Sequence, residues 1–535
     1  MFLSVPFIPP QYVDKLVISS ELNGLTPTPT AAGLVTALFG IFFLVNWPPS
    51  PFERVGKIWL LSFLSGWNAM TFTMEKHIAE GYTKVIKRSG KPFVMKWWAM
   101  DYVFLPPKYL HDLKRADTHE LSFFENISKA FSLYASVDDL YSSELMIDIV
   151  KRGINTNLRQ IIPLLDEESN HAFSMEVGTA TDWKPFIAAD LSGRIMHRST
   201  SRILIGTELC RNESYLKTSQ KLADSIFIHG LVMSMLPFRS IFRSSYDFLF
   251  TRFHLRNLRK AMEVILPVVQ ARFDEFQARE SSSEKDHTKP LDAIEWSLEF
   301  SKGNAREHNP RWIALSLLHN IWAGSSAPGG LVTQMVFQVL TEPQYLEPLR
   351  AEAEAALRPH GYTDKALDNM PLMDSFIREL NRVYPTGAVT CARTVMNPGG
   401  FRFHDGLHLR QGTKIAVPAL AIQTDPENFD DPLTVDAFRF ARLREAASDN
   451  VGDEGEHNWG AATASETNLA FGYGKHACPG RFYAVRKAKL IFSKLILEYD
   501  LKWEGVKTRP PSLSVNGQFA PNQSQKIFLR KRTTT

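Results

Sequence analysis

Apolar and polar residues repeat with a helical period along most of this sequence. Apolar positions that recur every three or four residues predict helices with one buried face, and longer apolar segments predict helices buried on most sides. The clearest of these segments are residues 255–279, 312–340, 344–357, 371–383 and 482–499. The hydrophobic pattern therefore predicts a large, mainly helical body.

A small β element lies among these helices. Short strand-like pieces are separated by glycine-containing turn pairs, such as Gly399-Gly400 and Asp405-Gly406. The strand-like pieces are residues 388–390, 401–403 and 414–417. Two polar stretches, residues 280–289 and 446–466, are predicted to be exposed loops, and neither divides the body into domains.

The N-terminal region has a different pattern. No charged residue or histidine occurs between Leu22 and Phe52, and residues 31–47 are almost continuously apolar. This run is at the short end of what can cross a bilayer, and Pro48, Pro49 and Pro51 end it. We expect residues 1–52 to carry a membrane anchor, with a helix at about 31–47 and a Pro-rich hinge, followed by one domain at 53–535. The alternatives are a buried core helix and a cleaved signal peptide.

Composition excludes several classes of protein. The chain has 535 residues, of which 44% are hydrophobic and 22% are charged, and its formal charge is +4. These values are ordinary for a globular protein and give no reason to expect a nucleic-acid binder. Three cysteines, Cys210, Cys391 and Cys478, cannot form a dense disulfide framework, which indicates a reducing compartment. The 36 phenylalanines fit a large apolar interior or an apolar ligand pocket.

Cys478 lies in the most informative segment, residues 471–481, which read FGYGKHACPGR. Gly472 and Gly474 permit a tight turn that can aim backbone N–H groups at the sulfur. The start of the helix that follows is partially positive and favours a thiolate. Nearby cationic side chains add to this effect, and they are Lys475, His476 and Arg481.

This segment resembles the haem-binding signature of the cytochrome P450 superfamily, the haem-thiolate monooxygenases, which is Phe-x-x-Gly-x-(Arg/His)-x-Cys-x-Gly. The matching residues are Phe471, Gly474, His476, Cys478 and Gly480. The resemblance implies that Cys478 is the axial ligand of the haem iron, with Phe471 packed beside it and His476 on a haem propionate. The alternative, a buried structural cysteine, describes Cys210 and Cys391 better.

A second motif of the family is Glu-x-x-Arg on a helix before the cysteine loop. Glu379 and Arg382 match it, and their spacing places both side chains on one helix face. Arg439 matches the arginine that completes a Glu-Arg-Arg network in family members. The resemblance implies a structural role in holding the cysteine loop. Another copy of the motif, Glu347 with Arg350, is predicted to be an exposed helical pair.

Three further assignments follow from the resemblance. Arg393 stands where family members place an arginine on a haem propionate, the alternative being a surface arginine at a strand edge. Residues 386–391 would line the substrate pocket, and residues 227–250 would cover its entrance unless they form an ordinary helix core with membrane contact. A basic face for docking an acidic reductase is predicted, the alternative being a solvated helix face. It comprises Lys475, Arg481, Arg486, Lys487, Lys489 and Lys494.

The central helix departs from the family pattern. Members carry (Ala/Gly)-Gly-x-(Asp/Glu)-Thr-(Thr/Ser), whose acid and threonine help deliver protons during oxygen activation. The matching groove residues here are Ala323, Gly324, Ser325 and Ser326, followed by Ala327 and Pro328. Ordered water, Ser325, Ser326 or the substrate would then supply the proton route. Either a wider groove accommodates a bulky substrate, or the chemistry is altered to rearrangement, desaturation or oxidative coupling.

The resemblance, which is greatest to fungal membrane-anchored members of secondary metabolism, predicts the cytochrome P450 fold. It is mainly α with a small β subdomain and is preceded by an N-terminal transmembrane helix. The implied enzyme binds haem b and receives NADPH electrons through NADPH-cytochrome P450 reductase, with cytochrome b5 as a further partner. It would oxidise a terpenoid, indole-terpenoid, polyketide or alkaloid from the cytoplasmic face of the endoplasmic reticulum. The alternatives are a haem-thiolate isomerase, dehydratase or coupling enzyme, and a non-catalytic haem-binding protein.

Overall fold

The computed structural model describes residues 50–56, 72–137, 140–236, 239–281, 289–449, 459–505 and 508–533, with Gly33 and Thr36. The chain divides into two units, Met1–Pro51 and Phe52–Thr535. The predicted membrane helix at residues 31–47 lies outside the described residues, apart from Gly33 and Thr36. Among the described residues, no helix has the length and apolar character needed to cross a membrane.

Helices make up most of the second unit. They are α1 (Met74–Gly81), α2 (Lys87–Ser89), α3 (Leu110–Arg115), α4 (Phe123–Phe131), α5 (Tyr134–Val137), α6 (Leu145–Asp148), α7 (Leu158–Glu176), α8 (Ala188–Leu204), α9 (Thr207–Cys210), α10 (Glu213–Met235), α11 (Arg239–Ser281), α12 (Ala293–Phe300), α13 (Pro310–Thr341), α14 (Leu346–Leu357), α15 (Asp364–Asp368), α16 (Pro371–Val383), α17 (Ala419–Gln423), α18 (Arg439–Asp449) and α19 (Arg481–Glu498). π-helical turns at Tyr82–Ile86 and Ile149–Ile154 link α1 to α2 and extend α6.

The long helix α13 runs through the centre of this unit. Its first turn is capped by Asn309, whose side chain accepts hydrogen bonds from the backbone N–H groups of Arg311 and Trp312, and Pro310 suits the first position. Residues on all sides of the helix are buried because α8, α10, α11 and α19 pack around it. The helix continues through Pro328 without a break.

The β structure is small and lies mostly in one sheet. The strands are β1 (Glu53–Arg54), β2 (Phe93–Trp97), β3 (Met100–Phe104), β4 (Leu121–Ser122), β5 (Lys184–Ile187), β6 (Thr390–Val395), β7 (Phe401–Arg402), β8 (His408–Leu409), β9 (Lys414–Val417), β10 (Tyr499–Trp503), β11 (Leu513–Val515), β12 (Gln518–Ala520) and β13 (Lys526–Lys531). Six strands form a sheet in the order β1-β2-β3-β9-β6-β4, in which β1 and β2 are parallel, as are β3 and β9. The others form β10-β13-β5 and two hairpins.

Two hydrophobic cores hold this arrangement. The larger one lies between the helices around α13, and the smaller one covers the six-stranded sheet. The prediction of a mainly helical protein with a small β region is confirmed. The predicted loop at 446–466 is wrong at its start, since α18 extends through Asp449. Its Ala, Arg, Glu and Leu residues are strong helix formers, which outweighed the polar character used for the prediction.

Candidate active site

The cysteine loop is closed by its own backbone. The N–H of Cys478 donates to the carbonyl oxygen of Phe471 at 2.7 Å, and the N–H of Gly472 donates to that of Leu469 at 2.8 Å. Gly474 has a φ of +72°, and a Cβ atom there would lie 2.3 Å from the Cα of Lys114. Only glycine satisfies both the left-handed conformation and this close approach.

The Cys478 thiol is positioned to act as a metal ligand. Its side chain is accessible, and the backbone N–H groups of Gly480 and Arg481 donate to its sulfur. The protein packed around the sulfur raises the pKa of this thiol, and the N–H groups of Gly480 and Arg481 and the Arg481 charge act in the opposite direction. A metal ion that binds a thiol deprotonates it.

Arg393 and His476 meet at this loop. Arg393 lies in β6 and is buried, and its Nη2 donates to the carbonyl oxygen of His476 at 3.2 Å. Burial lowers the pKa of its guanidinium, and no carboxylate pairs with it within the described part of the chain. The His476 ring hydrogen-bonds through Nε2 to the carbonyl oxygen of Ala116 at 2.9 Å. Arg393 is thus a buried cation next to the cysteine loop that has no carboxylate partner among the described residues, and it could pair with an anionic group of a ligand.

The structure brings Glu379, Arg382 and Arg439 together. The Glu379 carboxylate accepts from Arg382 Nη2 at 2.7 Å, Arg382 Nε at 2.8 Å and Arg439 Nε at 3.2 Å. Arg382 Nη1 also donates to the carbonyl oxygen of Gln423 at 2.9 Å. The Gln423 side chain accepts from the Leu469 N–H at 2.7 Å. The network therefore reaches the cysteine loop through Gln423, a residue that the sequence analysis missed.

The second Glu-x-x-Arg copy differs from its prediction. Glu347 is exposed, but Arg350 is buried, and it donates to the carbonyl oxygens of Ile496 and Tyr499 as well as to Glu347. The prediction of an exposed pair is wrong for Arg350, because the junction between α19 and β10 covers its side chain.

The predicted groove residues of α13 fall on two faces. Ala323, Ser326 and Ala327 are exposed, although most of the helix around them is buried. Gly324 is half-buried, whereas Ser325 is turned the other way and lies 3.1 Å from His197 Nδ1. Residues three and four positions apart share a helix face, and this periodicity places Ser325 behind the groove. Ser325 therefore does not join the open face on which it was predicted.

These features fit a haem group. Cys478 would hold the iron, Arg393 would receive a carboxylate, and the open face of α13 offers small side chains rather than bulk. The donor chemistry matches the known ligation of haem by a cysteine thiolate. The alternative of a surface arginine at position 393 is excluded by its burial.

The predicted basic docking face is wrong for most of its members. Lys487, Lys489 and Lys494 are buried, and Arg486 pairs with Asp364 and Asp368. Helix α19 packs on several neighbours, so its cations point inward to acceptors rather than to water. Basic side chains instead line a groove of about 690 Å³ beside the cysteine loop. Its basic lining residues are His111, Lys114, Arg115, Lys475 and Arg481.

An aromatic cluster lies next to the groove of α13. The ring of Phe131 in α4 is 4.7 Å from that of Trp98 and 5.8 Å from that of Trp322, between ring centroids. Phe227 in α10 lies 6.2 Å from Trp98 and 6.4 Å from Phe131. Trp322 directly precedes the groove residue Ala323. Only Phe227 was within a segment predicted to cover the substrate.

Comparisons with known proteins place the chain in a family. A sequence model of cytochrome P450 matches residues 150–528. The chain is 36% identical over 523 residues to cytochrome P450 monooxygenase sirB of Leptosphaeria maculans, which covers 97% of this chain and 98% of the relative. It is 28% identical over 468 residues to cytochrome P450 monooxygenase paxP of Penicillium paxilli, covering 84% and 83%.

A solved structure, "Retinoic acid bound cyanobacterial CYP120A1", has a TM-score of 0.64 and 15% identity, and the match covers 90% of this chain and all of that one. This likeness supports the fold. The family match, the close relative and the cysteine loop agree. The chain belongs to the cytochrome P450 family, and it is a haem-thiolate monooxygenase that takes its electrons from a reductase.

Proposed function

We propose that this enzyme is anchored to the endoplasmic reticulum membrane and oxidises a lipophilic small molecule of secondary metabolism. The substrate class is a terpenoid, indole-terpenoid, polyketide or alkaloid. When bound, haem supplies the oxidising chemistry, while the protein binds and orients the substrate. The aromatic cluster of Trp98, Phe131, Phe227 and Trp322 is the observation that carries this proposal.

The cluster favours a large apolar substrate for two reasons. It joins the turn after β2 to α4, α10 and α13, and aromatic side chains supply large apolar contact areas at little cost in conformational entropy. Pockets lined mainly by aromatic residues, with few polar groups, bind ligands of this character. The small side chains of Ala323 and Ala327 leave room beside Trp322 for a bulky skeleton.

The test is reconstitution of the full chain with haem, NADPH and a fungal NADPH-cytochrome P450 reductase. Lipophilic metabolites of the four classes are incubated under ¹⁸O₂, and products are read by mass spectrometry. We expect a product that carries one ¹⁸O atom and requires NADPH. Product without ¹⁸O would instead support the isomerase, dehydratase or coupling alternatives.

Two cysteine variants control this experiment. Cys478→Ser should abolish both product formation and the red-shifted carbon-monoxide difference spectrum. Cys210→Ser changes a buried thiol whose pKa burial raises to about 12, and it should retain the spectrum. An unchanged spectrum in Cys478→Ser would disprove the ligand assignment.

Ser326 is our candidate for organising the water that replaces the family's threonine. It is the polar side chain on the open face between residues 323 and 327, whereas Ser325 faces His197. Ser326→Ala should therefore raise peroxide release per NADPH several-fold, and by more than Ser325→Ala, because Ser325 acts on the open face only through the packing of the turn. Ala327→Thr should lower peroxide release or alter the products. If none of these ratios changes, the open face has no special role in proton delivery.

We further propose that the reductase docks at the basic groove beside the cysteine loop. Lys114 and Arg115 are exposed there, and an acidic partner would gain association rate from them. Lys114→Glu with Arg115→Glu should raise the reductase concentration for half-maximal turnover about tenfold at low salt. The matched control is Lys217→Glu, an exposed lysine on α10. Equal effects of the two changes would refute docking at the groove. Cytochrome b5 would compete for the same surface.

Two features support attachment to a membrane. Residues 31–47 are apolar and uncharged, and α11 carries exposed apolar side chains at Phe248, Leu249 and Phe253. Leu38→Lys with Phe42→Lys should release the full chain from the microsomal fraction, whereas Thr36→Ser should leave it there. Retention of the double variant, with release only after Phe248→Glu, would assign attachment to α11 instead.

A further inference from the structure

Pro328 leaves one carbonyl of α13 without its helical partner. Proline has no N–H, so the carbonyl oxygen of Gly324, four residues earlier, loses the donor that an α-helix normally provides. Lys487 Nζ on α19 donates to this oxygen at 2.9 Å, and Thr200 Oγ1 on α8 lies 3.2 Å from it and shares its single hydrogen with the carbonyl oxygen of Met196 at 2.7 Å. Two neighbouring helices therefore satisfy the carbonyl that the proline exposes.

Lys487 is held tightly in this position. It has no exposed area, and its Nζ also lies 2.5 Å from Thr200 Oγ1 and 4.5 Å from the centroid of the Tyr483 ring. No carboxylate pairs with it in the described part of the chain, and burial lowers the pKa of its amine to about 7. Burying a lysine without a carboxylate is costly. The carbonyl and the hydroxyl are the polar groups that offset this cost.

Glycines let the helices approach closely enough for these contacts. A Cβ atom on Gly324 would lie 3.1 Å from the Cγ2 of Thr200, and one on Gly329 would lie 3.2 Å from the Cα of Gly193. The rear of the turn is also tied at Ser325 through His197, whose Nε2 contacts Ser219 at 2.8 Å. The rear face is thus fixed by α8, α10 and α19, and the front face is the open groove.

We propose that Lys487 is a positioning residue for oxygenation. By holding the Gly324 carbonyl toward α8 and α19, it fixes the turn at residues 324–328. The same turn carries Ser326 and Ala327 on its other side, so its conformation sets the width of the groove beside the haem. This inference rests on the monooxygenase function of the same site.

The test is a double-mutant cycle with Lys487→Met and Pro328→Ala. Lys487→Met keeps the length of the side chain but leaves the buried carbonyl with weaker partners. Pro328→Ala returns an N–H that can donate to the same carbonyl, which makes the lysine dispensable. We expect Lys487→Met to speed hydrogen exchange of backbone amides at 322–332 about tenfold in the full-length holoenzyme. In the Pro328→Ala background the same change should speed exchange less than twofold.

Peroxide released per NADPH should follow the same pattern, rising several-fold in Lys487→Met and returning toward the wild-type value in the double variant. Lys489→Met is the matched control, since Lys489 is equally buried on α19 but pairs with Asp374. Pro328→Ala should not reverse any effect of Lys489→Met on hydrogen exchange or on peroxide release. Equal effects of Lys487→Met in both backgrounds would overturn the proposal.

If Lys487→Met does not yield holoenzyme, Thr200→Val decides in the same cycle. It removes the hydroxyl that contacts both the Gly324 carbonyl and Lys487 Nζ, so its effect on exchange must also shrink in the Pro328→Ala background. Failure of the proposed function is distinguishable, because wild-type enzyme would then form no NADPH-dependent product that carries ¹⁸O. Formation of that product by the wild-type enzyme, without coupling between positions 487 and 328, overturns the positioning role alone.

Discussion

The network around Glu379 predicts that two chemically identical substitutions will differ strongly in their effect. Glu379 and Glu347 both precede an arginine by three residues on a helix, and both pair with that arginine. Glu379 has no exposed area, whereas the Glu347 side chain is 75% exposed. The change to alanine therefore isolates the contribution of burial.

The magnitude follows from the partners left behind. Glu379→Ala removes the acceptor for two donors of Arg382, one of Arg439 and the backbone N–H of Asp436. Breaking a buried ion pair by removing one partner costs about 3–5 kcal/mol. Glu347→Ala removes a solvent-screened pair worth about 0–1 kcal/mol, and Arg350 keeps the carbonyls of Ile496 and Tyr499.

The assay is denaturant unfolding of the holoenzyme, followed by haem absorbance and by tryptophan fluorescence. Glu379→Ala should lower the free energy of unfolding by at least about 2 kcal/mol more than Glu347→Ala. It should also reduce the ratio of haem to protein, because Arg382 reaches the cysteine loop through Gln423. Equal losses of stability in the two variants, or full haem retention in Glu379→Ala, would refute the reasoning.

Three further outcomes are expected. Arg393→Met should speed haem transfer to an acceptor protein about tenfold, since it would remove the buried cation that we expect to pair with a haem carboxylate, and the exposed Arg402→Met should not. Gly474→Ala should abolish the carbon-monoxide spectrum because its Cβ would strike backbone, whereas Gly412→Ala, at similar φ in open space, should only strain a turn. Between pH 7 and 9, the free energy of unfolding of the wild type, measured by calorimetry, should rise by about 2–3 kcal/mol relative to that of Lys487→Met. In the unfolded chain Lys487 stays protonated to about pH 10.5, whereas in the folded protein it loses its proton from about pH 7, so raising the pH favours the folded state.

The cysteine loop could be predicted from local sequence because its geometry depends on residues that are close together in the chain. The spacing of Gly474, Cys478 and Gly480 is a property of one turn, and the structure closes that turn with a hydrogen bond from Cys478 to Phe471. Glu379 and Arg382 are likewise one helical turn apart. Helix α16 was predicted with the bounds that the structure shows, since its pattern of apolar residues is strongly amphipathic.

Contacts between distant segments could not be read in this way. The lysines of α19 have a spacing that suits a solvated face, and the sequence offers no sign that α8, α15 and α16 cover them. Gln423 connects the Glu379 network to Leu469 through contacts that span more than forty positions. Such residues are recognised only when the packing of the helices is known.

Pro328 shows how a sequence signal becomes interpretable once the packing is known. The sequence identified it as a break in the family's central-helix pattern, and in the structure the helix continues through it, with Lys487 and Thr200 at the carbonyl that lacks its helical donor. A proline in the interior of a helix leaves the carbonyl four residues earlier without its helical donor. The sequence therefore specified that Gly324 required an external donor, although it could not name the donor. Ala327, in place of the family's threonine, and the buried Lys487 act on opposite faces of one turn, so the open groove and the support behind it belong to one local structure.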